Sequence, residues 1–70
     1  MAEADGTVEV DADIVRQTEL AICIYDGSKT VWLPKSQLID PAPDEIGEYR
    51  DGDSLIITIP EWLAIEKGLV

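Results

Sequence analysis

The sequence predicts a mainly β domain with one short α-helix: a small, curved antiparallel sheet or barrel of four or five strands, closed by a C-terminal helical turn. Three observations carry this prediction. Apolar and acidic residues alternate over residues 7–14, and an Asp-Gly pair at 26–27 separates two apolar segments. The apolar run 55–59 then leads directly into Pro60, which suits the start of a helix.

The first predicted strand has a carboxylate at every outward position. Apolar residues occupy the even positions from 8 to 14, and the odd positions between them hold Glu9, Asp11 and Asp13. Successive side chains of a strand point to opposite faces, so these three carboxylates share one face. Two interpretations follow. The charges imitate the phosphates of a nucleic-acid strand, or they form a solvated face that discourages pairing with other strands.

After a polar break over residues 16–19, the second predicted strand, residues 20–25, is apolar on both faces. Such a strand is central to a core or is covered by another chain. The second interpretation predicts a homodimer, with Ala21, Cys23 or Tyr25 near the covered face. Cys23 is expected to be a small buried hydrophobe, because the sequence has no histidine to activate its thiol.

A hairpin follows the second strand. The Asp26-Gly27 pair supplies the positive φ that tight hairpin turns require. Residues 30–33, which include Trp32, form the returning strand. Pro34 ends its pairing, because proline has no N–H to donate to a ladder.

Residues 35–39 predict a turn and one more short strand. Leu38 and Ile39 are the apolar pair assigned to that strand. Lys35 and Ser36 are adjacent, but the Ser-x-x-Lys spacing and an oxyanion-hole motif are missing. Ser36 is therefore interpreted as a turn residue, and no catalytic residue is assigned.

Residues 40–53 predict an acidic loop, since two prolines and two glycines oppose a long helix. Ile46 and Tyr49 are expected to anchor it, and Asp51-Gly52 to turn the chain into the last strand. The calcium-loop spacing, with its closing glutamate, is absent, so no metal site is assigned. The acids of the loop are Asp40, Asp44, Glu45, Glu48, Asp51 and Asp53.

The C-terminal segment predicts a strand followed by a two-turn helix. Pro60 opens the helix, and Gly68 ends it in a left-handed cap. Trp62, Ile65 and Leu69 recur at helical spacing. This spacing predicts a buried stripe, with Trp62 packed against the preceding strand and Leu69 folded back onto the helix.

Composition limits the functional classes. The 70 residues predict one domain over residues 7–70, preceded by a frayed acidic segment, residues 1–6. Fifteen acidic and five basic residues give a net charge of −10, which repels nucleic acid and anionic lipid and attracts basic protein surfaces. One cysteine and no histidine exclude an internal disulfide and the usual zinc sites. No signal peptide, membrane span or cofactor is predicted, and the reduced cytoplasm is the expected compartment.

Two segments together resemble a group of small, acidic bacteriophage and prophage proteins. They are Trp-Leu-Pro-Lys-Ser-Gln at 32–37 and Ile-Pro-Glu-Trp-Leu-Ala, followed by Lys-Gly-Leu, within 59–69. The resemblance covers roughly residues 18–70. It implies a phage-type gene product acting in the bacterial cytoplasm, and it implies no catalytic or binding residue.

A shorter resemblance involves Thr58-Ile-Pro-Glu61 and Gly68-Leu69, which are similar to the corner of swapped-hairpin transcription regulators and antitoxins. Those proteins bind DNA through basic arms and continue into another strand after the glycine. Here the N-terminal strand is acidic. An antitoxin-like regulator is therefore a minor alternative.

The favoured hypothesis is a non-enzymatic interaction protein that binds a basic surface of a host protein. Small acidic phage proteins include inhibitors of bacterial defence, and anti-CRISPR proteins that mimic nucleic acid are the closest analogy. The alternative is a small-barrel accessory module of phage DNA recombination or replication, with aromatic residues on an exposed sheet face. The candidate partner-binding residues are Glu9, Asp11, Asp13, Trp32, Lys35, Asp44, Glu45 and Glu48.

Overall fold

The computed structural model describes residues 6–69, which form one open antiparallel sheet and one short helix. The strand order is β3-β2-β1-β4. The predicted mainly β class with a short C-terminal helix is confirmed, and the sheet is open rather than closed into a barrel. The elements are β1 (Thr7–Gln17), β2 (Ala21–Tyr25), β3 (Thr30–Pro34), β4 (Ser54–Pro60) and α1 (Glu61–Glu66), with two 3-10 turns at Lys35–Gln37 and Ile46–Glu48.

The core lies on one face of the sheet, which we call the inner face. α1 packs on this face through Leu63 and Ala64, and the connections contribute Leu38 and Ile46. The opposite, outer face has no helix packed on it within residues 6–69. The buried inner-face side chains of the sheet are Val10, Ala12, Ile14, Ile22, Ile24, Leu33, Ile57 and Ile59.

β1 is one of the two central strands, and its two halves have different neighbours. Residues 7–13 pair with β4, from Thr7 opposite Pro60 to Asp13 opposite Ser54. Residues 13–17 pair with β2. The N-terminal half of β1 therefore has a strand on only one side.

A β-bulge at Val15 lengthens β1 beyond its predicted end. The register with β2 shifts between Ile14 and Arg16. The extra residue turns Arg16 to the outer face and Gln17 to the inner face, the reverse of simple alternation. The predicted polar break at residues 16–19 is wrong for its first two positions, because the bulge allows both to stay in the strand.

The second strand is central, as predicted, since β2 lies between β1 and β3. It begins at Ala21 rather than Leu20, and the side chain of Leu20 is exposed. Ile22 and Ile24 are buried on the inner face.

The predicted fifth strand at Leu38–Ile39 is wrong. Leu38 is a buried core residue outside any strand, and Ile39 is exposed. Pairing with the sheet is limited to one bridge between Asp40 and Thr58. The amide of Thr58 donates to the carbonyl oxygen of Asp40 at 2.7 Å, and this bridge closes part of the free edge of β4.

The predicted buried stripe of α1 is also wrong. Trp62 is 50% exposed and Ile65 is 60% exposed, whereas Leu63 and Ala64 are buried. Pro60 remains in the extended conformation at the end of β4, so the first helical residue is Glu61. That start turns residues 63 and 64 toward the sheet.

Within residues 6–69, no helix is long and apolar enough to cross a membrane.

The C-terminal cap of α1 forms as predicted. Gly68 has a φ of 73°, and its amide donates to the carbonyl oxygen of Ile65 at 3.1 Å. The amide of Leu69 donates to the carbonyl oxygen of Ala64 at 2.8 Å, which completes a Schellman motif. Leu69 packs against the core, and the ammonium group of Lys29 lies beside Gly68.

The acidic loop over residues 40–53 is held to the domain at three points. Ile46 is fully buried, as predicted. The side chain of Gln17 donates to the carbonyl oxygens of Ile46 and Tyr49, at 3.2 and 3.1 Å. Gly52, with a φ of 94°, turns the chain toward β4, and its amide donates to the carbonyl oxygen of Ile14 at 2.7 Å.

The sequence predicts a frayed segment over residues 1–6, of which residues 1–5 lie outside the described residues. Val70 also lies outside them. Gly6 is described, and its carbonyl oxygen accepts a hydrogen bond from the amide of Glu61 at 2.9 Å.

Candidate protein-binding face

The outer face has a row of carboxylates along β1. Glu9, Asp11 and Asp13 are all exposed there, as the alternation predicts. Residues two apart on a strand are about 7 Å apart, so the row presents regularly spaced negative charges along an extended backbone. This is the predicted arrangement of the first strand, and the structure leaves the row uncovered within residues 6–69.

The three carboxylates differ in their contacts. Asp13 accepts a hydrogen bond of 2.6 Å from the hydroxyl of Ser54, its cross-strand neighbour. Among residues 6–69, the carboxylates of Glu9 and Asp11 accept no hydrogen bond. These two are therefore free to meet groups of a partner, whereas Asp13 is already oriented by the sheet.

An aromatic pair lies on the same face. Trp32 of β3 is 43% exposed, and Tyr25 of β2 is 40% exposed. Tyr25 is opposite Asp13 on one side and Thr30 on the other, so it directly adjoins the carboxylate row. Trp32 lies two strands away from β1, a lateral distance of about 10 Å. Large, half-exposed aromatic side chains beside charged groups are typical of protein interfaces.

Arg16 also lies on this face, although the sequence predicts it in a polar break between two strands. It is opposite Cys23, which in turn is opposite Trp32, so the three form one row across the sheet. Only the bulge brings Arg16 to this face. The segment around Val15 gives no sign of a bulge, because its β-branched residues suit a regular strand equally well.

Cys23 is a buried free thiol with 6% of its surface exposed. It occupies the outer face of β2, between the cross-strand partners Arg16 and Trp32. The burial matches the prediction of a small hydrophobe at this position.

Lys35, a candidate partner-binding residue, and its neighbour Ser36 lie beyond the end of β3. Lys35 and Ser36 form part of a 3-10 turn, in which Ser36 is exposed and Lys35 is half-buried. The backbone amide of Lys35 donates to the carbonyl oxygen of Leu20 at 2.9 Å. Within the described chain, no hydrogen bond joins the Ser36 hydroxyl to the Lys35 ammonium group.

The loop acids do not join the β1 row. The loop packs on the inner side of the sheet through Ile46, so Asp44, Glu45 and Glu48 are exposed on a different surface. The carboxylate of Glu45 accepts a hydrogen bond from the amide of Ala42 at 3.2 Å, which is a capping role within the loop.

Glu45, Glu48, Tyr49 and Asp53 line an open depression of about 430 Å³ beside the loop. Asp53 accepts a hydrogen bond from the amide of Arg50 at 2.9 Å. Across residues 6–69, no group of three or more histidine, cysteine or carboxylate side chains is placed to hold a metal ion.

Asp26 stabilises the hairpin tip that separates Tyr25 from β3. Its carboxylate accepts hydrogen bonds from the amides of Lys29 and Ser28, each at 2.8 Å. These two hydrogen bonds, first that from Lys29 and then that from Ser28, hold the pKa of the Asp26 carboxyl below its ordinary value. This acid therefore has a role in the fold that is separate from the outer face.

Comparison with known proteins adds no relative to this description: no family model, curated protein or solved structure matches the chain.

Proposed function

We propose that the protein is a non-enzymatic binding module whose outer face docks on a basic surface of another protein. The observation that carries this proposal is the carboxylate row of β1, in which Glu9 and Asp11 lack partners within residues 6–69. Arginine and lysine side chains of the partner supply the complementary charges. The net charge of −10 steers such a partner toward the protein over long range.

The aromatic pair gives the proposed interface its apolar part. Charged contacts at the rim of an interface set association rates and specificity, whereas buried aromatic side chains contribute most of the affinity. Tyr25 adjoins Asp13 across the strand pair, so a partner that engages the carboxylate row also covers this ring. Trp32 extends the apolar area toward β3.

A narrower hypothesis concerns the partner itself. A basic protein surface of this kind commonly binds nucleic acid, and regularly spaced carboxylates on a strand compete for the same lysines and arginines. The resemblance of residues 18–70 to phage and prophage proteins favours a bacterial partner in the cytoplasm. A defence complex of the type that anti-CRISPR proteins inhibit is the partner we propose on that basis.

Direct binding of single-stranded nucleic acid is the competing function. Trp32, Tyr25 and Arg16 share one face. Proteins that bind single strands use aromatic rings on which bases stack, together with cationic side chains, so these residues have the required chemistry. The adjacent carboxylate row and the net charge oppose it, because phosphate binding depends on basic contacts. Fluorescence anisotropy with a labelled oligonucleotide at physiological salt separates the two functions, and saturable binding there would support the competing one.

The experiment that tests the proposal compares two triple-amide variants. One carries Glu9→Gln, Asp11→Asn and Asp13→Asn, which keep the side-chain shapes and remove three charges from the outer face. The control carries Asp44→Asn, Glu48→Gln and Asp51→Asn, which remove the same charge from the exposed loop. Each protein is immobilised and incubated with bacterial lysate, and bound proteins are eluted along a salt gradient.

We expect the parent and the loop variant to retain the same basic proteins, and the outer-face variant to lose them. Elution should occur at moderate salt, since the Debye length falls from about 10 Å at 0.1 M to about 3 Å at 1 M. Retention of identical proteins by both variants would contradict the proposal, and so would the absence of any basic protein from the parent's eluate.

A further inference from the structure

The N-terminal half of β1 has a free backbone edge. Both backbone groups of Thr58 bond to residues 39–40: the Thr58 amide donates to the carbonyl oxygen of Asp40 at 2.7 Å, and the Thr58 carbonyl oxygen accepts from the amide of Ile39 at 2.9 Å. Thr58 is opposite Glu9 on β1. In an antiparallel pair, opposed residues that do not bond each other direct their N–H and C=O groups outward. The backbone groups of Glu9 therefore point away from β4.

The direction of the backbone N–H and C=O groups alternates from one residue of β1 to the next. Ile14 donates its amide to Asp53 at 2.8 Å and accepts from Gly52 at 2.7 Å, so its backbone groups point toward the β4 side. Even-numbered residues of β1 before the bulge therefore face β4, and Glu9 and Asp11 face the other way. β2 does not reach them, since its pairing with β1 ends at Asp13 opposite Tyr25. Within residues 6–69, the backbone N–H and C=O groups of Glu9 and Asp11 have no backbone partner.

The two outer edges of the sheet, on β3 and β4, each carry a feature that opposes strand pairing. The edge of β3 ends in Pro34, which has no N–H, and is flanked by Lys29 and Lys35. Proline and lysine at an edge discourage the pairing of another strand. The edge of β4 is occupied at Thr58 by its bridge to Asp40. The segment Thr7–Asp11, which we call the open edge, has neither protection.

Charge selects the occupant of the open edge. A second copy, paired symmetrically, would place Glu9 opposite Asp11 of its partner, and like charges directly opposite each other destabilise a strand pair. A strand with lysine or arginine at alternate positions would instead place its cations opposite these carboxylates. Cross-strand side chains of an antiparallel pair are about 5 Å apart, close enough for ion pairs.

We propose that the open edge binds an extended, basic segment of a partner protein by antiparallel strand addition. The backbone of Glu9 and Asp11 supplies the hydrogen bonds, and their carboxylates select lysine or arginine at every second position of the segment. This inference rests on the proposed function for the sign of the partner's charge. It adds that recognition uses the backbone, which charge attraction alone does not require.

A synthetic peptide tests the inference with the unmodified protein. The probe is a heptapeptide of alternating lysine and valine. In antiparallel addition its lysines are opposite Glu9 and Asp11, so the lysine amides point toward β1 and the valine amides point away. N-methylation of the lysine amides therefore removes the hydrogen bonds, whereas N-methylation of the valine amides keeps them. Both methylated peptides have the charge of the parent peptide.

We expect the parent and valine-methylated peptides to bind, and the lysine-methylated peptide to lose binding by at least about tenfold. Hydrogen exchange of the Glu9 and Asp11 amides should slow in the complex by a similar factor. Equal binding of both methylated peptides would overturn strand addition and leave charge recognition intact. Failure of the parent peptide to bind at millimolar concentration would also overturn strand addition, whereas the proposed function is judged separately by the triple-amide variants.

Two variants of the protein test the same backbone hydrogen bonds from the protein's side. Asp11→Pro removes the amide at the open edge, and proline is tolerated where the N–H faces away from the ladder. Asp11→Ala removes the same charge and keeps the amide. We expect Asp11→Pro to bind the peptide at least about fivefold more weakly than Asp11→Ala. Equal affinity of two folded variants would contradict the inference, and if the proline variant does not fold, the methylated peptides decide.

Discussion

Gln17 donates a hydrogen bond from its side-chain amide to the carbonyl oxygen of Ile46, 29 residues away in the sequence. The bulge at Val15 makes this contact possible, because it turns Gln17 to the inner face. The contact holds the turn that buries Ile46 in the core. One irregular residue in β1 thus sets both the position of the acidic loop and the presence of Arg16 on the outer face.

Replacing Gln17 with methionine should free this loop. The variant Gln17→Met keeps the side-chain length and removes both hydrogen bonds, to Ile46 and to Tyr49. We expect a loss of about 1–2 kcal/mol in the free energy of unfolding, with faster amide exchange over residues 46–49. Urea denaturation and hydrogen exchange measure the two effects.

A second variant shows whether the hydrogen bonds cause the loss. Gln17→Glu keeps the shape and places a carboxylate against the two carbonyl oxygens, so it should destabilise the fold more than Gln17→Met does. Parent-like stability in both variants would show that the side-chain amide does not hold the loop.

The core of α1 depends on Leu63 rather than on Trp62. Leu63 is buried and Trp62 is half-exposed. Leu63→Ala should therefore cost about 2–5 kcal/mol, the range for emptying a buried leucine site. Trp62→Ala should cost about 1 kcal/mol, because much of the side chain is already in water. Urea denaturation of both variants checks the order, and a larger loss for Trp62→Ala would contradict the assigned helix face.

The difference between these two residues shows where the sequence is informative. The end of the C-terminal helix was predictable, and its start to within one residue, because Gly68 and Pro60 have strong backbone preferences. Its buried face was not. A helix of six residues has fewer than two turns, and the spacing of Trp62 and Ile65 competes with the adjacent pair at 63–64. The residue at which β4 ends fixes the orientation of the helix, and this orientation turns Leu63 and Ala64 toward the sheet instead of Trp62 and Ile65.

The candidate site was predictable to a similar extent. Alternation along residues 7–14 places the carboxylates on one face without further information. The exposure of Tyr25 and the position of Arg16 depend on which strands neighbour each other and on the bulge. The open edge depends on the length of the β2–β3 hairpin, which stops at the level of Asp13. None of these pairings is encoded in local periodicity.

The hairpin tip should respond to acid. Hydrogen bonds from the amides of Lys29 and Ser28 hold the pKa of Asp26 below its ordinary value, which the unfolded chain retains. The unfolded state therefore binds more protons between the two pKa values. The stabilisation by this group is complete above the ordinary pKa and is lost as pH falls below about 4.

Asp26→Asn isolates this effect, since it keeps an oxygen acceptor and cannot titrate. We expect its stability to fall less than that of the parent between about pH 4 and pH 2. An NMR titration of the Asp26 carboxyl carbon in the parent reports the pKa directly. A midpoint at or above the ordinary aspartate value would show that the turn hydrogen bonds do not favour the charged form.

Self-association is the last property to test. The apolar second face of β2 predicts a homodimer, and that face carries Tyr25 and the largely buried Cys23. Trp32 adjoins them on β3. We expect a dimer that uses this apolar part of the outer face when no basic partner is bound, because the partner and the second copy would cover the same rings. The net charge of −10 on each copy opposes it, so association should strengthen as salt screens the repulsion.

Sedimentation equilibrium at 0.1 M and about 1 M salt measures this dependence, with screening lengths of about 10 and 3 Å. Dimerisation should strengthen as the salt concentration rises, whereas binding of a basic partner should weaken. The two kinds of binding are therefore distinguishable in one buffer series. Trp32→Ala should abolish the dimer. Trp62→Ala removes an equally large exposed ring from α1 and should leave the dimer unchanged. A monomer at both salt concentrations would rule out self-association through the outer face and leave Tyr25 and Trp32 available to the basic partner.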